Sequence, residues 1–389
     1  MQSDEAIERI TRRFHADQQN PVEVFRASEV PARYEAITPA WLTDLLCRFV
    51  PGAQVVSYEL GPVDNGSSNR RRIHVAYNEV GHSRGLPRSV FCKAAHTLIH
   101  RTFLRVSRAT VNEVTFYRHL RAHLNLAAPN AYLADYDAEA WTSIFVFEDM
   151  AGNATFCDES TEVDFQRACN QMDVLATLHG STHERTDLFT AGEGLLPWNE
   201  LWQRYLDFGH AEYCAKGFAG AVERGLIPQR LARRESEVWP RTTECVLRHA
   251  ELPRMVTHND VHLKNWFLMQ DGQMGLGDWQ CLAIGNWSRD VAYTISTALT
   301  VDNRRRWDKE LLHYYLERLR ENGGPRVPFE EAWNLYRQQL FAALSFWTVT
   351  LTPSIQQPEN LQPEHTTVEF LRRISTAIDD LDALDSFGA

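Results

Sequence analysis

The chain contains no Cys-x-x-Cys pair, no internal repeat and no low-complexity tract. Its seven cysteines are scattered and odd in number, which argues against a disulfide framework and fits a reducing compartment. Nowhere do apolar residues run together for the roughly eighteen positions that a membrane-spanning helix needs, so no membrane association is expected. The opening stretch MQSDEAIERITRRF mixes acids with bases and lacks an apolar run, so a secretory signal is not expected and a cytoplasmic location is. What remains is a chain of 389 residues with 44% hydrophobic and 23% charged side chains. Those are globular values, and the length suits two lobes or domains.

Charge is unevenly spread. The net charge is −11, yet residues 1–150 carry 17 basic and 17 acidic side chains, and residues 151–389 carry 23 and 34. Within the first part, residues 51–121 hold 11 bases against 4 acids. A basic block can mark a nucleic-acid surface. Here the arginines 70, 71, 72, 84, 88, 101, 105 and 108 lack the interleaved aromatics of single-strand binding. A polyphosphate-binding lobe followed by an acidic acceptor lobe explains the same asymmetry, and a solvated acidic surface is the plain alternative.

Patterning divides the chain. A helix is predicted at Asp4–Ala16, and Thr38-Pro39 reads as N-cap and first residue of a helix through Phe49. Strand character follows at Val55–Leu60, Arg72–Tyr77, Val90–Ala95, Ala131–Tyr136 and Thr142–Phe147, with one long amphipathic helix at 105–124. From about residue 160 the pattern is helical, at Glu162–His179, Trp198–Lys216, Pro228–His249, Lys309–Glu321 and Phe329–Trp347. The expected organisation is a helical extension over 1–50, a β-rich lobe over 51–150 and a helical lobe over 151–389. The fold class is α+β, a small antiparallel sheet with one long helix followed by a larger, mostly helical lobe.

The most informative stretch is His258-Asn-Asp-Val-His-Leu-Lys-Asn265, followed by Gly277-Asp278-Trp-Gln280. Phosphoryl transfer needs one group to accept a proton from an attacking hydroxyl and oxygen ligands to hold Mg²⁺ against a nucleotide. Asp260 is the candidate general base, and Asn265 and Asp278 are the candidate metal ligands. The Asp-x-x-x-x-Asn spacing matches a kinase catalytic loop. His258 brackets the base and is expected to hold the loop in shape by hydrogen bonding. A zinc site on His258, Asp260 and His262 is the rival, weakened because the usual His-Glu-x-x-His glutamate is absent. A polar turn is the bland alternative for the first element alone. The strand that delivers Asp278 after Met274-Gly-Leu-Gly277 tips the balance, because a buried carboxylate needs a cation.

Upstream, Asp64-Asn-Gly-Ser-Ser-Asn69 lies between two predicted strands. Gly66, Ser67 and Ser68 can cover phosphates through backbone N–H groups and hydroxyls, although one glycine in a hairpin is more often only a turn residue. Lys93, inside the apolar Val-Phe-Cys-Lys-Ala strand, needs an anion that nucleotide phosphates would provide. Glu113, on the helix that follows, is placed to pair with it; a solvent-facing lysine and a surface glutamate are the alternatives.

With these pieces in order, the chain resembles the aminoglycoside phosphotransferase and choline kinase-like superfamily, with the ecdysteroid-kinase-like branch and its bacterial relatives nearest. The likeness covers about residues 35–350 and rests on the two catalytic elements, the Lys93–Glu113 pair and Ile144-Phe-Val-Phe-Glu-Asp-Met150. The resemblance implies a protein-kinase-like two-lobe fold, ATP and Mg²⁺ as cofactors, and a hinge at Glu148, Asp149 and Met150 whose backbone receives adenine. It also implies a structural anchor at Asp290. Asn259 stands where the family often has glycine. No Asp-Phe-Gly follows Asp278, so a small-molecule hydroxyl acceptor is expected rather than a peptide or a nucleic acid. The second reading is a catalytically silent nucleotide- or ligand-binding module.

Overall fold

The computed structural model describes residues 2–352 and 362–388, with side chains from residue 5. The chain has the expected α+β class. It divides into two compact units: residues 2–117 together with 129–152, and residues 118–128, 153–352 and 362–388.

In the first unit, strands β1 (Val55–Asn65), β2 (Asn69–Tyr77), β3 (Ser89–Ala94), β4 (Ala131–Tyr136) and β5 (Ser143–Glu148) form one antiparallel sheet in the order β1-β2-β3-β5-β4. The period-two pattern of β5 explains how one strand serves two cores. Ile144 and Val146 join Trp41, Leu42, Ile73, Val90 and Cys92, while Phe145 and Phe147 pack with Val114 and Ala134. Five helices complete the unit: α1 (Gln2–Gln19), α2 (Pro39–Leu46), α3 (Glu79–Ser83), α4 (Leu98–Val106) and α5 (Ala109–Thr115). Residues 2–50 thus belong to the same compact unit as the sheet. The N-cap expected at Thr38 forms, with Trp41 N donating to Thr38 Oγ1 at 3.2 Å.

The helix expected over 105–124 starts later: α4 ends at Val106, and α5 begins at Ala109 and runs on through a π turn at Phe116–Leu120 and a 3-10 turn at Arg121–His123. The Ser107 hydroxyl bonds back to Phe103 O at 2.9 Å, and Arg108 adopts φ 58°, which ends α4 and starts α5 in a new direction. Hydrophobic spacing survives such a break, so periodicity alone does not detect it.

The second unit is mostly helical: α6 (Phe165–Thr182), α7 (Thr186–Phe189), α8 (Trp198–Asp207), α9 (His210–Glu223), α10 (Gln229–Ala232), α11 (Glu235–His249), α12 (Ser288–Ala298), α13 (Val301–Glu321), α14 (Phe329–Leu351) and α15 (Glu364–Asp380). The helix expected over Trp198–Lys216 is two, split at Gly209 with φ 80°. Five short strands carry the chemistry-bearing stretch. They are β6 (Ala154–Phe156), β7 (Met255–Thr257), β8 (Trp266–Met269), β9 (Met274–Leu276) and β10 (Ala283–Gly285), pairing as β6-β8-β9 and β7-β10. Helix α12 is buried along its whole length and so forms a fixed floor for that stretch. No helix among the described residues is long and apolar enough to cross a membrane.

Candidate active site

The catalytic stretch leaves β7 into a loop fixed by α12. Asp290, at the first turn of α12, accepts hydrogen bonds from the backbone N–H groups of His258 and Asn259 at 2.6 and 2.8 Å. Its second contact to Oδ2 is His179 Nε2 at 3.1 Å, and His179 Nδ1 lies 2.7 Å from the Tyr315 hydroxyl. Burial alone would raise the pKa of Asp290. The bond to His179, together with the neighbouring imidazoles and the His258 N–H, outweighs it and holds the carboxyl below its ordinary range.

His258 accepts from Asp260 N at Nδ1 (3.3 Å), so its proton sits on Nε2, which donates to Gly277 O at 2.9 Å. The imidazole therefore ties the Asp260 loop to the residue that precedes Asp278. Asn265 closes the other side. Its amide nitrogen donates to Asp260 O at 2.7 Å and to Asp260 Oδ2 at 3.2 Å. Its backbone O accepts from Gly277 N at 2.8 Å, continuing the β8–β9 hairpin. That bond sets Asn265 beside Gly277, one residue before Asp278, which takes φ 58°.

One loop and one hairpin thus set Asn265 against Asp260 and beside the residue that precedes Asp278. Because Asn265 uses its nitrogen on Asp260, its Oδ1 is the atom left to face a hard cation. That amide oxygen and the Asp278 carboxylate are hard oxygen donors of the kind Mg²⁺ takes. Among the described residues, no three His, Cys, Asp or Glu side chains are grouped to hold a metal, which goes against zinc on His258, Asp260 and His262. His262 is buried against Trp347, Tyr293 and Phe370, with Nε2 3.7 Å from Asp260 Oδ1. Burial pushes its pKa down, against the pull of Asp260 and Asp278.

The remaining candidates lie in the first unit. Lys93 Nζ sits 2.8 and 3.1 Å from the two carboxylate oxygens of Glu113, both side chains buried. The Gly66–Ser68 turn caps the β1–β2 hairpin and is held by His100, whose Nε2 lies 3.0 Å from Gly66 O. Ser68 is buried and its hydroxyl lines a cavity of about 10 Å³ shared with Lys93, Thr110, Glu113 and Ser143. Glu148 Oε1 accepts from Asn130 N and Nδ2 at 2.9 and 3.0 Å. Asp149 takes a bidentate pair from Arg72 and a bond from the Ser89 hydroxyl. Burial works against the Asp149 charge, but those donors overcome it and lower its pKa. Both acidic side chains are committed within their own unit, which leaves any hinge role to the backbone through Met150.

Two residues of the loop were not anticipated. Tyr293 places its hydroxyl 3.5 Å from Asp260 Oδ1, at the edge of hydrogen-bond reach. Arg289 is fully buried and bonded to Asn259. Both lie on α12 within a turn of Asp290, the one position of that helix marked in the sequence.

Residues 84–327 match the phosphotransferase enzyme family, and the chain belongs to it. No curated protein matches the sequence. Among solved structures, the chain is similar to choline kinase LicA from Streptococcus pneumoniae, at 16% identity over 84% of this chain and 94% of that one, with a TM-score of 0.47. It is also similar to macrolide 2'-phosphotransferase MphH from Brachybacterium faecium (14% identity, 79% and 91% coverage, TM-score 0.47). An aminoglycoside phosphotransferase from Alicyclobacillus acidocaldarius gives 13% identity, 85% and 90% coverage and a TM-score of 0.45. The expected enzyme class, a phosphotransferase, follows from the family. The ecdysteroid-kinase-like branch is not singled out by any of these matches.

Proposed function

We propose that the protein is a small-molecule kinase that transfers the γ-phosphoryl group of ATP to an acceptor hydroxyl. The observation that carries this reading is the mutual fixing of Asp260, Asn265 and the residue before Asp278 by the bonds at 2.7 and 2.8 Å. Asp260 orients the acceptor O–H and takes its proton as the new O–P bond forms and the bond from Pγ to the ADP leaving oxygen breaks. Asn265 Oδ1 and the Asp278 carboxylate would hold Mg²⁺, which supplies charge neutralisation for the phosphate oxygens when bound. Lys93, oriented by Glu113, contributes the ammonium for the nucleotide phosphates, with Gly66, Ser67 and Ser68 as the covering turn and the backbone of Glu148–Met150 as the adenine hinge. His258 keeps Asp260 and Gly277 in register. The acceptor is a small hydroxyl compound, since Asp278-Trp-Gln280 is not followed by a peptide-gripping activation segment.

Asp260→Asn tests the assignment. It keeps the volume and removes the base, so MgATP should still raise the melting temperature of the variant while turnover falls by about two to four orders of magnitude. Turnover undiminished on a true acceptor would remove Asp260 from the role.

A further inference from the structure

Asn259 takes φ 65°, the left-handed region that few residues other than glycine and asparagine adopt readily. Every polar group of this residue is held. Its N–H goes to Asp290, and its amide nitrogen donates to Thr257 O, Thr257 Oγ1 and Cys281 O. Its two oxygens both go to Arg289: Nε donates to Asn259 Oδ1 at 2.9 Å and Nη2 to the Asn259 backbone O at 3.1 Å.

Arg289 is itself unusual. Its side chain has no exposed surface, and among the described residues it forms no ion pair although Asp290 is its chain neighbour. The Asp290 oxygens are spent on two backbone amides and His179. The guanidinium lies 3.9 Å over the Trp198 ring and 5.0 Å from that of Phe346, and Nη1 has no hydrogen-bond partner among the described residues. A buried arginine is costly to desolvate. Among the described residues, the guanidinium donates only to Asn259, the residue that precedes the candidate base.

The peptide joining Asn259 to Asp260 is one rigid plane. Arg289 holds its carbonyl oxygen, and His258 Nδ1 accepts from its N–H at 3.3 Å. With both edges of that plane fixed, and Asp260 O on the far side held by Asn265 Nδ2 at 2.7 Å, the direction in which Asp260 projects is fixed as well. We infer that Arg289 is a positioning residue: a buried guanidinium, seated on Trp198 and Phe346, that locks the Asn259–Asp260 peptide and so aims the Asp260 carboxylate. Asn259, in place of a glycine, adds a second grip for the same arginine through its side chain. This role rests on the reading of Asp260 as the base.

The test compares Arg289→Met, Arg289→Lys, Asn259→Gly and the Arg289→Met/Asn259→Gly double variant in the full chain. Arg289→Met should lower kcat by about ten- to hundred-fold, the effect of a small misplacement of a catalytic group, with nucleotide KM within about two-fold of the parent. Arg289→Lys, which can still donate to the Asn259 carbonyl, should recover part of the loss. The double variant should lose no more than the worse single one, because both changes break the same contact. Hydrogen exchange at the Asp260 amide should quicken in Arg289→Met whether or not an acceptor has been found. A folded Arg289→Met or Arg289→Lys variant with parental kcat and parental exchange would overturn the proposal. So would a multiplicative loss in the double variant. Faster exchange in a chain whose parent transfers no phosphoryl group would leave the lock standing and remove the kinase reading instead.

Discussion

At the scale of the residue, the sequence reveals a side chain's role where chemistry forces it. Lys93 is a cation in an apolar strand and the only lysine in the first 215 residues, so a partner anion was expected and Glu113 provides it. Removing one partner of a buried pair leaves the other charge uncompensated. Glu113→Ala should therefore destabilise the chain by about 3–5 kcal/mol in urea unfolding, while replacement of both by apolar residues of similar volume costs less than either single change. A cost for the double variant equal to the sum of the two single costs would show that the pair is not coupled. Arg289 and Tyr293 were not legible in this way. Each matters because the fold sets it beside the Asn259–Asp260 segment, and no local pattern in Trp-Ser-Arg-Asp-Val-Ala-Tyr marks the side chain that turns toward it.

At the scale of the element, hydrophobic period located most helices and strands, and caps fixed one start, at Thr38. It failed at breaks. Periodicity runs through Arg108 and Gly209, where a single left-handed residue redirects the chain without interrupting the apolar spacing. Helix packing was equally invisible. Gly217 on α9 lies so close to α14 that a Cβ there would sit 1.8 Å from Thr348 O. Gly217→Ala must push the two helices apart, and about 1–3 kcal/mol or more should be lost, read as a lower urea midpoint at unchanged slope. A midpoint equal to the parent's would mean that α9 and α14 are not in that contact. Gly220, one turn further along α9 with open space around its Cβ, is the control, where alanine should be neutral or mildly stabilising.

At the scale of the whole molecule, acid is the condition to which the fold is built to be sensitive. Burial, reinforced by the Arg289 guanidinium, pushes the pKa values of His210 and His249 down to about 3 from the ordinary 6.5. Because the folded value lies below the unfolded one, both side chains are neutral in the folded protein. Between roughly pH 6.5 and 3 the unfolded chain binds protons that the folded chain does not, so stability falls as pH falls through that window. Each histidine contributes up to about 1.4 kcal/mol per pH unit. The urea midpoint should drop between about pH 7 and pH 5, and His210→Gln should flatten the drop. A midpoint that holds steady across that interval would place these imidazoles in solvent.

The contrast in charge along the chain is plain in its composition: a basic block over 51–121 and an acidic surplus from 151 onward. The acceptor's identity was not legible, because it depends on surfaces assembled from distant helices. The reaction itself can be read directly. The purified protein, incubated with MgATP and a pool of small hydroxyl-bearing metabolites, should yield a new phosphomonoester by phosphorus NMR and mass spectrometry, and Asp260→Asn should not. ATP bound with no phosphomonoester formed across the pool, or the same product from both proteins, would contradict the account.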